Sequence, residues 1–300
     1  MHPIDAVDLR FDEGSLATLE VVLALIMAGV ALDLSVDDFR RVLARPVAPA
    51  VGLVCQFFLL PAGTFLLTLV LPVPPSVKLG LVLVAACPGG NISNFMTHLA
   101  GGRTETSVGM TAVSTVAALV MTPFNLSFWG GMSATTAPLL QEVALDPLRL
   151  ARTVGTLLVV PLGVGMAVAA WLPGVAARLR TPMKWASVAF FVVFVGVAFA
   201  KNFDHFLGHI ATVAGPVALV NAFALLLGWS AAATLRLDVP DRRAVAIEVG
   251  IQNSGLGLLV VFAAFAGLGG MAVTAGWWSI WHIVTGLGVA GWWRWRDGRA

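Results

Sequence analysis

The sequence has 300 residues, of which 58% are hydrophobic and only 11% are charged, and its mean hydropathy is +0.90. Soluble domains carry about 25% charged residues, so this composition excludes a soluble globular protein and indicates an integral membrane protein. The formal net charge is only +2, so the positions of the charges matter more than their sum. Apolar windows of about 20 residues favour a helical bundle over a barrel, whose strands would alternate in segments of about 10.

We predict nine membrane-spanning helices, separated by short charged or Pro- and Gly-rich breaks. Their ranges are Ala17–Leu34, Val47–Leu71, Leu79–Ala100, Ser107–Gly130, Val154–Leu172, Trp185–Ala200, Ala211–Leu235, Ala244–Ala266 and Met271–Trp293. No stretch between these spans is long enough to form a soluble domain. The chemistry of the protein is therefore expected within the membrane.

The distribution of charge predicts the orientation of the chain. With the amino terminus outside, thirteen of the 18 lysines and arginines fall in cytoplasmic segments, which satisfies the positive-inside rule. The polar, acidic start of the chain lacks the positively charged region of a cleavable signal peptide. We therefore expect a multi-pass protein of the cell (inner) membrane, with its amino terminus outside and its carboxyl terminus in the cytoplasm.

Polar residues interrupt the third predicted span. Residues Cys87 to Asn94 read Cys-Pro-Gly-Gly-Asn-Ile-Ser-Asn; the proline removes a backbone donor, and the two glycines weaken the remaining helix. Asn91, Ser93 and Asn94 would lie near the bilayer midplane, where each unsatisfied polar group costs several kcal/mol. The segment therefore predicts a helix break beside an ion site.

A second polar cluster interrupts the eighth span. Residues Glu248 to Gly255 read Glu-Val-Gly-Ile-Gln-Asn-Ser-Gly, which places a carboxylate and two carboxamides in an apolar segment. A carboxylate within the membrane needs a cation or a proton, and hard cations prefer oxygen ligands. Other intramembrane polar positions are Gln56, Ser107 and Thr111 on one helical face, and His282. Together these groups favour a sodium ion bound at Glu248.

The two interrupted spans cross the membrane in opposite directions, since the third runs from outside to inside and the eighth from inside to outside. Paired discontinuous helices of opposite sense are typical of inverted-repeat secondary transporters, whose ion and substrate sites lie near the midplane. With five helices per repeat, nine spans divide into four plus five. The predicted fold class is an all-α integral membrane protein with two crossing discontinuous helices.

The residues at these breaks resemble those of the bile acid:sodium symporter family. The resemblance is carried by Cys87-Pro88-Gly89-Gly90 and by the eight residues that begin at Glu248, and it extends to Gln56-Phe57 and Trp281-His282. It covers nearly the whole chain. Family members have ten helices, or nine where the first is absent, and this chain resembles the nine-helix form of bacterial members.

The resemblance implies two sodium sites where the broken helices cross. Matched by position, the first site would be formed by Ser93, Asn94, Ser107, Thr111 and Glu248. The second would be formed by Gln56, Glu248 and Gln252, with backbone carbonyls around Val249 and Ile251. Sodium is the coupling ion in this interpretation, and no other cofactor is expected.

The resemblance also implies that the single membrane domain has two parts with a substrate cavity between them. The core part would span about 47–130 and 211–293, with breaks at 87–94 and 248–255, and the panel part about 17–45 and 149–200. Each part would contribute helices to the walls of the cavity.

Asn91, Asn253 and His282 match residues that line this cavity. The unpaired amides at the half-helix amino termini would suit an anionic substrate group. Asn91 and Ile283 stand where relatives carry other residues. The expected substrate is therefore an organic anion, either bile-acid-like or a smaller hydroxy or keto acid.

These observations predict a sodium-coupled symporter of an organic anion that works by alternating access, with no nucleic-acid partner. Two alternatives stay open: a proton-coupled or uncoupled transporter of the same fold, in which Glu248 would titrate, and a membrane sensor without transport. An enzyme that uses Glu248 and His282 as acid and base is disfavoured, because no nucleophile motif or metal-ligand spacing accompanies them.

Overall fold

The computed structural model describes most of the chain from residue 36 onward. The described residues are 4, 32, 36–90, 92–142, 160–161, 163–201, 203–265 and 267–298. The first predicted span, at Ala17–Leu34, lies almost wholly outside them, and the fifth, at Val154–Leu172, lies partly outside them.

Helices account for nearly all the regular structure within these ranges. They are α1 (Val36–Ala44), α2 (Val47–Val54), a π-helical turn (Cys55–Leu59), α3 (Leu60–Val70), α4 (Pro75–Ala86), α5 (Ile92–Leu99), α6 (Thr104–Met132), α7 (Ala137–Glu142), α8 (Pro173–Lys201), α9 (Phe203–Thr234), α10 (Val239–Gly250), α11 (Ser254–Phe265) and α12 (Gly269–Asp297). Residues 163–171 are also helical. The part of the chain that the structure describes contains no β-strand, and an isolated antiparallel β-bridge joins Gly89 to Gln252.

Several helices have the length and composition to cross a membrane. Among the described residues, these are the continuous helices Val47–Val70, Thr104–Met132 and Gly208–Thr234. Pro75–Ala86 and Ser254–Phe265 are apolar but shorter, because each forms one half of an interrupted span. The sixth predicted span, Trp185–Ala200, lies within α8, which starts earlier, at Pro173.

Helices α4 and α11 lie in the centre of the bundle. Every residue from 79 to 90 is buried, and α4 packs against α3, α6, α11 and α12. A helix that is apolar on all sides is a buried helix. Cys55 and Cys87 are buried free thiols, as expected for small apolar residues. The interrupted backbone that follows α4 therefore lies inside the protein and does not face lipid.

Both predicted helix breaks are confirmed. Helix α4 ends before Cys87, whose backbone is extended (φ −73°, ψ 155°), and α5 begins at Ile92. Helix α10 ends before Ile251 (φ −109°, ψ 95°), and α11 begins at Ser254. Proline and the neighbouring glycines explain the first break, and the glycine that ends α10 contributes to the second.

The two breaks pair with each other through their backbones. The Gly90 amide donates to the Ile251 carbonyl at 2.9 Å, and the Asn253 amide donates to the Pro88 carbonyl at 2.8 Å. These bonds flank an antiparallel bridge between Gly89 and Gln252. Because lipid offers no hydrogen-bond partners, irregular backbone at membrane depth must be satisfied by protein. Each break therefore supplies hydrogen-bond partners for some of the backbone groups of the other break.

Buried side chains satisfy the carbonyl groups that the breaks release. Thr122 Oγ1 donates to the Ala86 carbonyl at 2.7 Å, and Gln56 Nε2 donates to the Cys87 carbonyl at 2.7 Å. At the other break, Asn221 Nδ2 donates to the Gly250 carbonyl at 2.8 Å. All three donors are buried. These polar residues in neighbouring helices therefore stabilise the interrupted geometry.

The π-helical turn between α2 and α3 also has a side-chain partner. Asn125 Nδ2 donates to the Phe57 carbonyl at 3.0 Å and to the Met121 carbonyl at 2.9 Å, while its Oδ1 accepts from Trp129 Nε1 at 3.0 Å. Single π-helical turns inside α-helices are frequent at functional sites. This turn carries Gln56 into the interior.

We predict that Asn125→Leu destabilises the protein by about 1–3 kcal/mol, because it leaves the buried Phe57 carbonyl and the half-buried Trp129 indole N–H without their partner. The measurement is the thermal unfolding midpoint of the purified protein in detergent. Thr234→Val is the matched control, since the exposed Thr234 hydroxyl bonds only to the Ser230 carbonyl. Equal midpoints for the two variants would contradict the prediction.

Candidate functional site

The carboxylate of Glu248 is the centre of the polar cluster. It lies in the last turn of α10 with 1% of its surface exposed. Its Oε2 accepts hydrogen bonds from Ser93 Oγ at 2.5 Å and Ser107 Oγ at 2.8 Å, and its Oε1 accepts from Thr111 Oγ1 at 2.6 Å. Three hydroxyls from α5 and α6 thus converge on one buried carboxylate.

Two further groups extend this cluster. Thr111 Oγ1 lies 3.2 Å from Asn94 Oδ1, and Thr97 Oγ1 donates to Ser107 Oγ at 3.2 Å. Sequence reasoning missed Thr97, although it follows Ser93 by four residues and so shares its helical face. All four residues predicted to surround Glu248 in the first sodium site lie within this network.

No basic side chain among the described residues forms an ion pair with Glu248. Arg243, on the same helix, makes two hydrogen bonds to Asp297, at 2.5 and 2.7 Å. A buried carboxylate without a countercharge binds a cation or holds a proton. A hydroxyl that donates to Glu248 keeps two oxygen lone pairs; one lone pair of Ser107 accepts from Thr97, and the remaining lone pairs can serve a hard cation.

A carboxamide pair lies at the two breaks. Gln56 Nε2 donates to Gln252 Oε1 at 2.5 Å as well as to the Cys87 carbonyl, and Gln252 Nε2 donates to the Val249 carbonyl at 2.6 Å. Both side chains are 1% exposed. Gln56 Oε1 is buried and has no hydrogen-bond partner in the described part of the chain. A buried amide oxygen without a hydrogen-bond partner fits the oxygen-ligand preference of sodium.

The two backbone carbonyls proposed as ligands already accept hydrogen bonds. The Val249 carbonyl accepts from Gln252 Nε2, and the Ile251 carbonyl accepts from the Gly90 amide. A carbonyl oxygen has two lone pairs, so each retains the capacity for one further contact.

Gly89 and Gly90 allow the two breaks to touch. A Cβ atom at Gly89 would lie 2.2 Å from Glu248 Oε1, and one at Gly90 would lie 3.0 Å from the Gln252 carbonyl oxygen. We expected these glycines only to weaken the helix. The structure adds a second reason for them, since any side chain at Gly89 would occupy the space of the Glu248 carboxylate.

The residues predicted to contact substrate are less clearly grouped. Asn91 lies outside the described residues. Asn253 is half-buried at the second break, and its Oδ1 accepts from the Leu256 amide at 3.0 Å, which caps α11. His282 is buried on α12, and its Nδ1 has no hydrogen-bond partner within the described ranges. The structure therefore groups the predicted ligands of the first ion site around Glu248 and pairs Gln56 with Gln252, whereas no hydrogen bond within the described residues joins Asn253 to His282.

Comparison with known proteins identifies the family. The family model described as "Sodium Bile acid symporter family" matches residues 20–209. The chain belongs to this family. It is 31% identical over 275 residues to the Bacillus subtilis (strain 168) protein "Uncharacterized sodium-dependent transporter YocS", and the match covers 92% of this chain and 82% of that protein. It is 32% identical over 274 residues to the rice protein "Probable sodium/metabolite cotransporter BASS1, chloroplastic" (Oryza sativa subsp. japonica).

More distant relatives include human "Sodium/bile acid cotransporter 4", at 28% identity over 265 residues. The chain spans 65% of the length of the rice protein and 60% of the human one. Family membership confirms a multi-pass, all-helical membrane protein of a sodium-dependent transporter family, which is not an enzyme.

We predict that Gly89→Ala disrupts the site, because its new methyl group would collide with the Glu248 carboxylate. A lowered thermal midpoint in detergent is the expected result. Gly131→Ala is the matched control, since a Cβ there meets nothing within 4 Å and a helical alanine is favoured over glycine by about 1 kcal/mol. A Gly89→Ala protein as stable as the Gly131→Ala protein would show that the close approach is unimportant.

Proposed function

We propose that this protein is a sodium-coupled symporter that moves an organic anion across the membrane by alternating access. The observation that carries the proposal is Glu248, a buried carboxylate that receives three hydroxyl groups and has no basic partner among the described residues. The relatives named above are a sodium-dependent transporter and sodium cotransporters, which supports sodium as the coupling ion here.

Two sodium ions would bind at the crossing of the two broken helices. The first would use Ser93, Asn94, Ser107, Thr111 and Glu248; the second would use Gln56, Glu248 and Gln252, with carbonyls around Val249 and Ile251. The orphaned Gln56 Oε1 supports the second site. The ions would neutralise a charge that is otherwise costly at membrane depth.

The organic anion would bind beside the ions, against Asn91, Asn253 and His282. Helices α5 and α11 both begin at the paired breaks, so their amino-terminal amides and helix dipoles favour a negative group there. A bile acid and a smaller hydroxy or keto acid both carry such a group. The names of the relatives include both a metabolite and a bile acid cotransporter.

The membrane domain would divide into a core (about 47–130 and 211–293) and a panel (about 17–45 and 149–200). Its nine helices would form two inverted repeats, one of four helices and one of five. Within the described residues, the two panel stretches meet where Arg180 Nε donates to the Leu32 carbonyl at 2.8 Å. Movement of the core against the panel would expose the site to alternate sides. Sodium can shift this equilibrium only through its different affinity for the two states.

The amino terminus would lie outside and the carboxyl terminus in the cytoplasm. Three segments with basic residues lie at one end of the bundle: the start of α6, the start of α10 and the end of α12. They are held together there because Arg103 pairs with Asp241 and Arg243 pairs with Asp297. Their common location agrees with the positive-inside rule. With two sodium ions per monoanion, one net charge would move per cycle, which contributes roughly 2.3 kcal/mol per 100 mV of membrane potential.

Sodium binding at Glu248 can be tested without knowledge of the cargo. We predict that Glu248→Gln abolishes saturable binding of ²²Na⁺ to the purified protein, because it removes the charge and keeps the side-chain volume. We expect Asn94→Ala to weaken binding, because it removes one neutral oxygen. Glu105→Gln, at an exposed position of α6, is the matched control and should bind like the wild type. Wild-type binding by Glu248→Gln would refute the site.

Coupling can be tested in proteoliposomes with radiolabelled taurocholate, lactate and pyruvate as probes. An inward sodium gradient should drive accumulation of at least one of these anions, and Glu248→Gln should reduce it to the level of protein-free liposomes. Uptake that is equal with and without the sodium gradient would contradict sodium coupling. Uptake that follows a proton gradient in choline buffer would instead assign proton coupling to Glu248.

A further inference from the structure

A second polar cluster links the helices that carry the ion ligands. It consists of Arg103, Thr106, Asp238 and Asp241, and we call it the Arg103 clasp. Arg103 Nε donates to Asp241 Oδ1 at 2.8 Å, and Thr106 Oγ1 donates to the same oxygen at 2.7 Å. Arg103 Nη2 also donates to Asp238, which caps α10 by accepting from the Asp241 amide at 3.0 Å. The clasp thus joins the start of α6 to the start of α10.

The electrostatics of the clasp favour its charged form. Burial raises the pKa of Asp238, but the Asp241 backbone amide and the Arg103 guanidinium lower that pKa by more, so the net shift is downward. The Asp241 side chain is 18% exposed and that of Arg103 is 27% exposed. Partly buried ion pairs of this kind are less screened by salt than surface pairs.

The clasp lies close to the ion ligands along both helices. Ser107, which donates to Glu248, is the residue after Thr106. Glu248 follows Asp241 by seven residues, about two turns or roughly 10 Å along the same face of α10. Helices α6 and α10 are therefore joined twice: at the clasp, and at the carboxylate of Glu248.

The loop between α5 and α6 is fixed at the same place. The Arg103 amide donates to the Pro240 carbonyl at 3.0 Å, and Arg243 Nη1 donates to the Ala100 carbonyl at 2.8 Å. The Gly102 amide donates to the Thr97 carbonyl at 2.8 Å. All three helices that contribute groups to the Glu248 cluster are thus anchored at one end of the bundle.

We propose that Asp241 is a positioning residue for the sodium site, which holds α6 in register with α10 so that the hydroxyls of Ser107 and Thr111 meet Glu248. This inference rests on the proposed sodium-binding function. Asp241 touches neither Glu248 nor the carboxamide pair. It acts through Arg103 and Thr106, in the way that groups behind metal ligands orient those ligands.

The test is a ²²Na⁺ titration of purified Asp241→Asn, together with its thermal midpoint in sodium-free buffer. Asparagine keeps an oxygen for Thr106 but removes the charge that holds Arg103. Groups that orient ligands typically change metal affinity by about 10–100-fold, so we expect the sodium Kd to rise by about tenfold. Thr106→Val, which leaves the pair between Arg103 and Asp241 intact, should raise the Kd by a smaller factor.

Asp297→Asn is the matched control. It removes a carboxylate that is paired with Arg243 at the same end of the bundle, but it leaves the contacts of α6 with α10 intact. We expect a lower thermal midpoint and an unchanged sodium Kd. This control separates positioning of the ligands from general stabilisation of this end of the protein.

The sodium Kd values of these variants decide between a positioning role for Asp241 and its absence. A raised Kd in Asp241→Asn and Thr106→Val, with the Asp297→Asn Kd unchanged, supports the positioning role. A wild-type Kd in the first two variants overturns it, whatever happens to their thermal midpoints, and leaves the proposed function standing. Absence of saturable ²²Na⁺ binding in the wild type would overturn both. If Asp241→Asn does not fold, the Kd of Thr106→Val decides.

Discussion

The polar centre of this protein is built around the buried carboxylate of Glu248. Glu248 has 1% of its surface exposed and three hydroxyl donors, from Ser93, Ser107 and Thr111. A charge at this depth is costly unless a cation or a proton accompanies it. The surroundings provide oxygen atoms and, within the described ranges, no basic partner. This chemistry is suited to a small hard cation that enters and leaves, which is the requirement of a coupling ion.

The carboxylate can occupy this position only because two helices are interrupted beside it. The interruption exposes backbone groups that lipid cannot satisfy, so the breaks bond to each other and to buried side chains from neighbouring helices, such as Thr122 and Asn221. Gly89 brings the backbone of the first break against Glu248. One set of contacts therefore both surrounds the Glu248 carboxylate and satisfies the backbone groups of the two breaks. A substitution that alters the carboxylate's surroundings is expected to alter the breaks, and the reverse.

Much of this arrangement was predictable from local sequence, because prolines, glycines and polar residues in an apolar span each have a direct physical consequence. Both breaks follow from such patterns, whereas the grouping of Ser93, Ser107 and Thr111 with Glu248 was implied by the resemblance to the family. Asn125 and Asn221 were missed, because the role of a lone side-chain amide in a span depends on the carbonyl that it contacts on another helix. The same holds for the Arg103 clasp, in which Arg103 and Thr106 lie more than 130 residues before Asp238 and Asp241 in sequence. Pairings between distant segments depend on the packed fold, which one sequence read locally does not specify.

The most direct test of the central claim is a pair of high-resolution experimental structures, one determined in sodium chloride and one in choline chloride. We predict density for ions between Glu248 and the hydroxyls of α5 and α6, and beside Gln56 Oε1, in sodium only. In choline we predict that the two breaks separate or that the Glu248 side chain changes its partners. Identical sites in the two structures, with no ion density in sodium, would contradict sodium binding at the paired breaks.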